Sequence, residues 1–259
     1  MDEPILFQRD DAVVTVTLNR PERRNACDLA MWRRLGEVMD ELRGDDRLRC
    51  VVIRGAGGEA FGAGADIAEF QQTRYSADQA REYNRQMTPA LHGLRDCPHP
   101  VIALIEGACM GGGLEIAMFC DLRIAGQGAR FGIPVKRLGH ILALPELEEL
   151  VDLVGRANAL ELLLEGRIWT ADEAYVKGLA TRVVADAEVE QEAYGTAKRI
   201  AEGAPIAARG HKVFARRVKD PAPLTAEELD EPFRACDTED YKEGIRAFLA
   251  KAKPRFKGR

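Results

Sequence analysis

The stretch of this sequence richest in chemistry is CMGGGLEIAMFCD, residues 109–121. Three glycines, Gly111 to Gly113, lead into an apolar run that holds one carboxylate, Glu115. A helix starting at these glycines exposes backbone N–H groups at its positive end, where anionic oxygen is stabilised. Glycine lets a ligand approach that backbone without a Cβ in the way. The pattern is neither G-x-G-x-x-G nor a Walker loop, so a nucleotide phosphate is a poor fit and a developing enolate or oxyanion a better one. Glu115 is flanked by Leu114, Ile116, Ala117, Met118 and Phe119, which leave little sign of a polar face. A carboxyl buried there has a raised pKa, which suits proton transfer near neutrality.

A second glycine-rich turn, AFGAGADI (residues 60–67), also follows a strand-like run. An oxyanion hole needs two donors converging on one oxygen, and two turns of one sheet can supply one each. Other chemistry finds little support. The four histidines (His92, His99, His140, His211) show no metal-ligand spacing, and the six cysteines are scattered without a C-x-x-C pair, so they read as reduced packing residues. Glu146, Glu148 and Glu149 sit at helical spacing and read as a solvated face. Basic residues from Lys251 to Arg259 read as a solvated tail.

The elements that must hold these residues are partly legible. VVTVTL (residues 13–18) reads as a strand, and Asp28 caps a predicted helix over 29–42 with one apolar face. Residues 50–53, 101–105 and 121–125 read as further strands. Strands alternating with helices favour an α/β fold with both sheet faces covered. From about Ala157 onward the pattern reads as helical, broken by Pro205, Pro221, Pro223 and Pro232. The net charge of −5 argues against a nucleic-acid partner. No apolar run is long enough to span a bilayer and no signal core is visible, so a cytoplasmic location is expected.

Taken in order, several stretches resemble the enoyl-CoA hydratase/isomerase (crotonase) family: Asn19-Arg20-Pro21-Glu22 with Asn25-Ala26, FGAGADI, GGGLEIAMFCD, Gly166-Arg167, ADEAYVKGLA (171–180) and the tail from Tyr241 to Phe248. The resemblance implies a spiral of β-β-α units over residues 1–195 with the acyl-CoA site. It implies a C-terminal α-helical region, 196–259, for trimer and CoA contacts, in a homotrimer or a hexamer. It implies an acyl-CoA thioester substrate, no metal and no cofactor beyond coenzyme A in the substrate. Carried over by motif, the N–H groups of Ala65 and Gly112 form the oxyanion hole and Glu115 is the acid/base. Ala65, Asp66, Ile67 and Ala68 line the acyl-CoA path, and Phe248 and Lys251 contact CoA.

The chain departs from the family pattern twenty positions after Glu115. Hydratases carry a second glutamate there, and this chain has Val135, which cannot move a proton. The glycine-rich loop that follows in hydratases is replaced by HILALP, residues 140–145, with His140 either a second acid/base or a loop residue facing solvent or another subunit. Hydration by two glutamates is thereby in question, while isomerisation needs one acid and the oxyanion hole. A non-catalytic acyl-CoA-binding protein and a structural oligomer are the alternatives.

Overall fold

The computed structural model describes residues 3–259. Among these described residues there are ten strands: β1 Ile5–Asp10, β2 Val13–Leu18, β3 Cys50–Gly55, β4 Ala60–Gly62, β5 Val101–Ile105, β6 Ala108–Met110, β7 Leu122–Gly126, β8 Arg130–Gly132, β9 Trp169–Thr170 and β10 Arg182–Val184. They form a six-stranded sheet, β1-β2-β3-β5-β7-β10, and a four-stranded sheet, β4-β6-β8-β9. The larger sheet is parallel except for the β1–β2 hairpin, and the smaller is parallel except for β8–β9.

Three successive passages of the chain follow one plan. A strand enters the larger sheet, the next enters the smaller, and a helical segment returns: β3 then β4, β5 then β6, β7 then β8. The α-helices are α1 Leu29–Arg43, α2 Phe70–Thr73, α3 Ala77–Asp96, α4 Gly112–Met118, α5 Leu144–Leu160, α6 Ala171–Val176, α7 Val189–Ala201, α8 Pro205–Arg217, α9 Ala226–Arg234 and α10 Glu239–Leu249. The Asp28 side chain caps α1 by accepting from the Met31 N–H at 2.8 Å, which satisfies one orphan donor of the first turn.

Strand alternation decides what covers each face of the larger sheet. Val51 and Ile53 of β3 point into the main core with Trp32, Leu35 and Met39 of α1 and Leu91 and Leu94 of α3. Cys50 and Val52 point the other way, onto Ala193 and Ala197 of α7. β5 divides likewise: Val101, Ala103 and Ile105 face the main core, and Ile102 and Leu104 face α7. The sheet is therefore buried on both sides, as its near-continuous apolar strands require. Five of the six cysteines are buried, and Cys236 is exposed.

One sequence expectation is corrected here. The region beyond Ala157 is not purely helical, because β9 and β10 lie within it. Strands of two and three residues are too short to display a period of two.

The two sheets position the site by an unusually close backbone approach. A Cβ placed on Gly113 would lie 2.4 Å from the Gly62 carbonyl oxygen, so α4 starts flush against the end of β4. At the other end of α4, the buried Arg123 guanidinium donates to the Cys120 and Ala117 carbonyls at 2.6 and 3.3 Å and to Leu179 O at 2.6 Å. A cation at a helix C-terminus complements its dipole. Gly113→Ala is expected to lower stability by about 1–3 kcal/mol through overpacking, measured by urea denaturation; an unchanged midpoint and slope would contradict the close contact.

Candidate active site

β4, β6 and β8 are adjacent and parallel, so the chain leaves all three at one end. Open α/β sheets place their sites at such strand ends. Ala65 follows β4, Gly112 and Glu115 follow β6, and Val135 follows β8. All four border one cavity of about 300 Å³.

Local hydrogen bonding leaves two amides free there. Cys27 N–H donates to Gly64 O at 2.7 Å and Asp66 N–H donates to Cys27 O at 2.8 Å. This parallel bridge fixes the backbone on either side of Ala65 and turns the Ala65 N–H away from Cys27. After β6, Gly111 takes φ 45° and ψ −120° to turn the chain into α4, a conformation that glycine alone enters cheaply. Gly112 is then the first helical residue, where an N–H has no intrahelical acceptor. A Cβ on Gly112 would sit 3.5 Å from the Ala65 nitrogen and 3.0 Å from the Trp32 ring. The two amides are therefore neighbours, and neither has a backbone acceptor among the described residues. Such a pair can donate to a single oxygen.

Glu115 lies one turn further along α4, half-buried, and borders this cavity. Burial, together with the like charge of Glu146 and against the opposing pull of Arg74, pushes its carboxyl up to about 7. The surrounding walls are largely hydrocarbon and aromatic, among them Trp32, Phe70, Met87, Met110 and Leu142. Trp32 donates to the buried Tyr83 hydroxyl at 3.1 Å. The Arg74 guanidinium lies 5.1 Å from both the Phe70 and Tyr83 ring centres, a favourable cation–π position.

His140 borders the cavity as well. Arg74 has only donors, so at 2.6 Å the His140 Nε2 is the acceptor and the ring is neutral. Burial, and then the neighbouring guanidinium, hold the imidazole below its usual range. Of the two alternatives left open for His140, the structure favours an inward-facing residue over a solvent-facing one, and its Nε2 is occupied. His92 does not border the cavity.

Of the other residues singled out by sequence, Ile67 and Val135 border the cavity. Asp66 and Ala68 do not: the Asp66 carboxylate bonds Arg20 at 2.9 Å and the Ala68 N–H at 3.2 Å. Its bond to Arg20 holds that carboxyl below the usual range. Phe248 and Lys251 also lie outside the cavity walls, and Phe248 is 84% exposed.

The expectation for the glutamates after HILALP needs correction. Glu148 is exposed and Glu149 pairs loosely with Arg216 at 3.7 Å, but Glu146 is only 3% exposed and borders the cavity. Its Oε2 is buried without a hydrogen-bond partner. The reason is helical phase: Glu146, Leu150 and Val154 form the buried stripe of α5. Among the described residues no cluster of His, Cys, Asp or Glu is arranged to hold a metal ion, and no helix is long and apolar enough to cross a membrane.

Residues 8–259 match the family model for enoyl-CoA hydratase/isomerase. The chain belongs to that family. The short-chain-enoyl-CoA hydratase of Clostridium acetobutylicum is 34% identical, over 96% of this chain and 95% of its own length. The (E)-benzylidenesuccinyl-CoA hydratase of Thauera aromatica is 34% identical, over 98% and 99%. The crystal structure of an enoyl-CoA hydratase/carnithine racemase from Magnetospirillum magneticum superposes with a TM-score of 0.98 at 49% identity, covering 100% of this chain and 97% of that one. The fold is thus the α/β crotonase fold expected from the motifs.

The raised Glu115 carboxyl makes a prediction about stability. The folded state holds this proton up to about pH 7, whereas an ordinary glutamate carboxyl, as in the unfolded chain, titrates at 4.5. The group's favourable contribution is therefore complete below the unfolded value and is lost as pH rises through the folded one. Glu115→Gln should exceed the native protein in stability at pH 8 by on the order of 3 kcal/mol, and the difference should shrink toward pH 4.5. Urea denaturation at several pH values measures this; a difference independent of pH would contradict a buried ionisable Glu115.

Proposed function

We propose that this protein is an acyl-CoA-transforming enzyme that ionises the carbon beside a thioester carbonyl. The thioester oxygen sits between the Ala65 and Gly112 N–H groups, and Glu115 moves the α proton. The observation that carries this reading is the coincidence, in one largely apolar cavity, of two neighbouring unpartnered amides and a carboxyl that titrates near neutrality. As the α carbon loses its proton, charge develops on the thioester oxygen, and fixed donors in a water-poor site stabilise it without reorganising. Losing one such donor costs about 3 kcal/mol of transition-state stabilisation. A carboxyl near pH 7 is half-ionised there, so it can both accept and return a proton.

That one relative is a short-chain-enoyl-CoA hydratase and the other an (E)-benzylidenesuccinyl-CoA hydratase supports an unsaturated acyl-CoA substrate. In this reading the acyl chain lies against Ile67 and Val135, and the 66–68 turn borders the path of CoA. No metal or redox cofactor has a role. We assign residues 1–195 to the catalytic core and 196–259 to contacts between copies. The exposed Leu229 and Phe233 of α9 and the exposed Phe248 and Leu249 of α10 support a trimer or a hexamer of such chains, with Phe248 and Lys251 meeting CoA.

The test uses a saturated thioester, because no net reaction can then obscure the proton transfer. Butyryl-CoA incubated with the protein in deuterated water should lose its α-proton signal in the NMR spectrum. Glu115→Gln should slow this exchange by at least ~10² while calorimetric affinity changes by a few-fold. Absence of exchange with the native protein would overturn the proposal.

A further inference from the structure

Proton transfer at Glu115 leaves one buried polar group of the cavity without a task. Glu146 faces the same space, and its Oε2 has no hydrogen-bond partner. A buried acceptor in that state calls for a donor. The cavity, at about 300 Å³, has room for a water molecule beside an acyl chain.

The remaining titratable walls are already committed. Arg74 and Arg137 are permanent cations. His140 Nε2 accepts from Arg74. The Tyr83 hydroxyl is bonded by Trp32 and is held protonated by burial. Val135, at the place of the family's second glutamate, carries no proton. Glu115 and Glu146 are the two groups left that can exchange protons with a bound molecule. Around them, Arg74 from the α2 end, His92 from α3 and the buried Cys27 are further charged or titratable groups coupled to these carboxylates.

We propose that Glu146 is the second catalytic carboxylate of this site, holding a water through Oε2 and acting as its base in the hydration of a 2-enoyl-CoA, in place of an acid at position 135. This rests on the reading that Glu115 and the paired amides act on a thioester. Glu146 takes one proton from the water as the water oxygen bonds to the β carbon. The π pair of the double bond moves into the thioester, giving the enolate held by Ala65 and Gly112. Protonated Glu115 then delivers its proton to the α carbon as the enolate collapses. The product is a 3-hydroxyacyl-CoA, and transfer of the proton from Glu146 to Glu115 resets the pair. Glu115, which holds its proton to higher pH than an ordinary carboxyl, suits the acid role.

Hydration of crotonyl-CoA, followed as formation of 3-hydroxybutyryl-CoA, tests this. The native protein should hydrate it. Glu146→Gln should lower kcat by ~10²–10⁴ with KM changed by a few-fold, since the amide keeps the cavity's shape. Glu146→Ala should regain hydration when formate is added, a recovery that a purely structural role would not give. The proposal is overturned if Glu146→Gln hydrates within tenfold of the native rate, if only KM changes, or if the native protein shifts double bonds without forming a 3-hydroxy product. Exchange of butyryl-CoA by the native protein separates the two failures. If exchange is present and Glu146 is dispensable, this inference alone falls; if exchange is absent, the thioester reading falls with it.

Discussion

How closely the chain leaving β6 passes the chain leaving β4 governs the rest of the site. Hydrogen bonding between these two parallel strands brings their ends together, and Gly62 and Gly113 remove the side chains that would hold them apart. Only then do the amides of Ala65 and Gly112 become neighbours. The same contact sets where α4 begins, and so sets Glu115 one turn from the amide pair. One backbone approach thus fixes both the two free amides and the Glu115 carboxyl, which is why the apolar positions after Gly113 can serve the core while Glu115 borders the cavity.

The electrostatics of the cavity follow from its walls. Hydrocarbon and aromatic groups withhold water from Glu115, and Glu146 adds like charge, so the proton is held to about pH 7. Arg74 opposes this but is shared among Phe70, Tyr83 and His140. A carboxyl kept from ionising costs the fold stability above neutral pH. That cost is the counterpart of a group able to move protons under physiological conditions, and α4 bears it because it is anchored at both ends, by Gly62 at its start and by the Arg123 guanidinium at its finish.

What the sequence revealed, and what it did not, divides by how far each signal reaches. The cap at Asp28, the strands at 13–18 and 101–105 and the glycine entry to α4 are local patterns, and each forms where the pattern puts it. Glu115 was legible because its neighbours are apolar on every side. Glu146 was not, because its neighbours Glu148 and Glu149 suggest a wet face; the signal lay in the spacing to Leu150 and Val154, which places it on the buried stripe. Asp66 and His140 depended on partners distant in sequence, Arg20 and Arg74, that no local pattern announces. Strands β9 and β10 are held by their sheet neighbours rather than by any periodicity of their own.

The most direct measurement of the central claim is the infrared difference spectrum of an enoyl-CoA labelled with ¹³C at its thioester carbonyl and bound to the protein. Two amides donating to one oxygen weaken the carbonyl bond, so its stretch should move to lower wavenumber than in water. A stretch at or above the aqueous position would mean that the amides of Ala65 and Gly112 do not hold that oxygen.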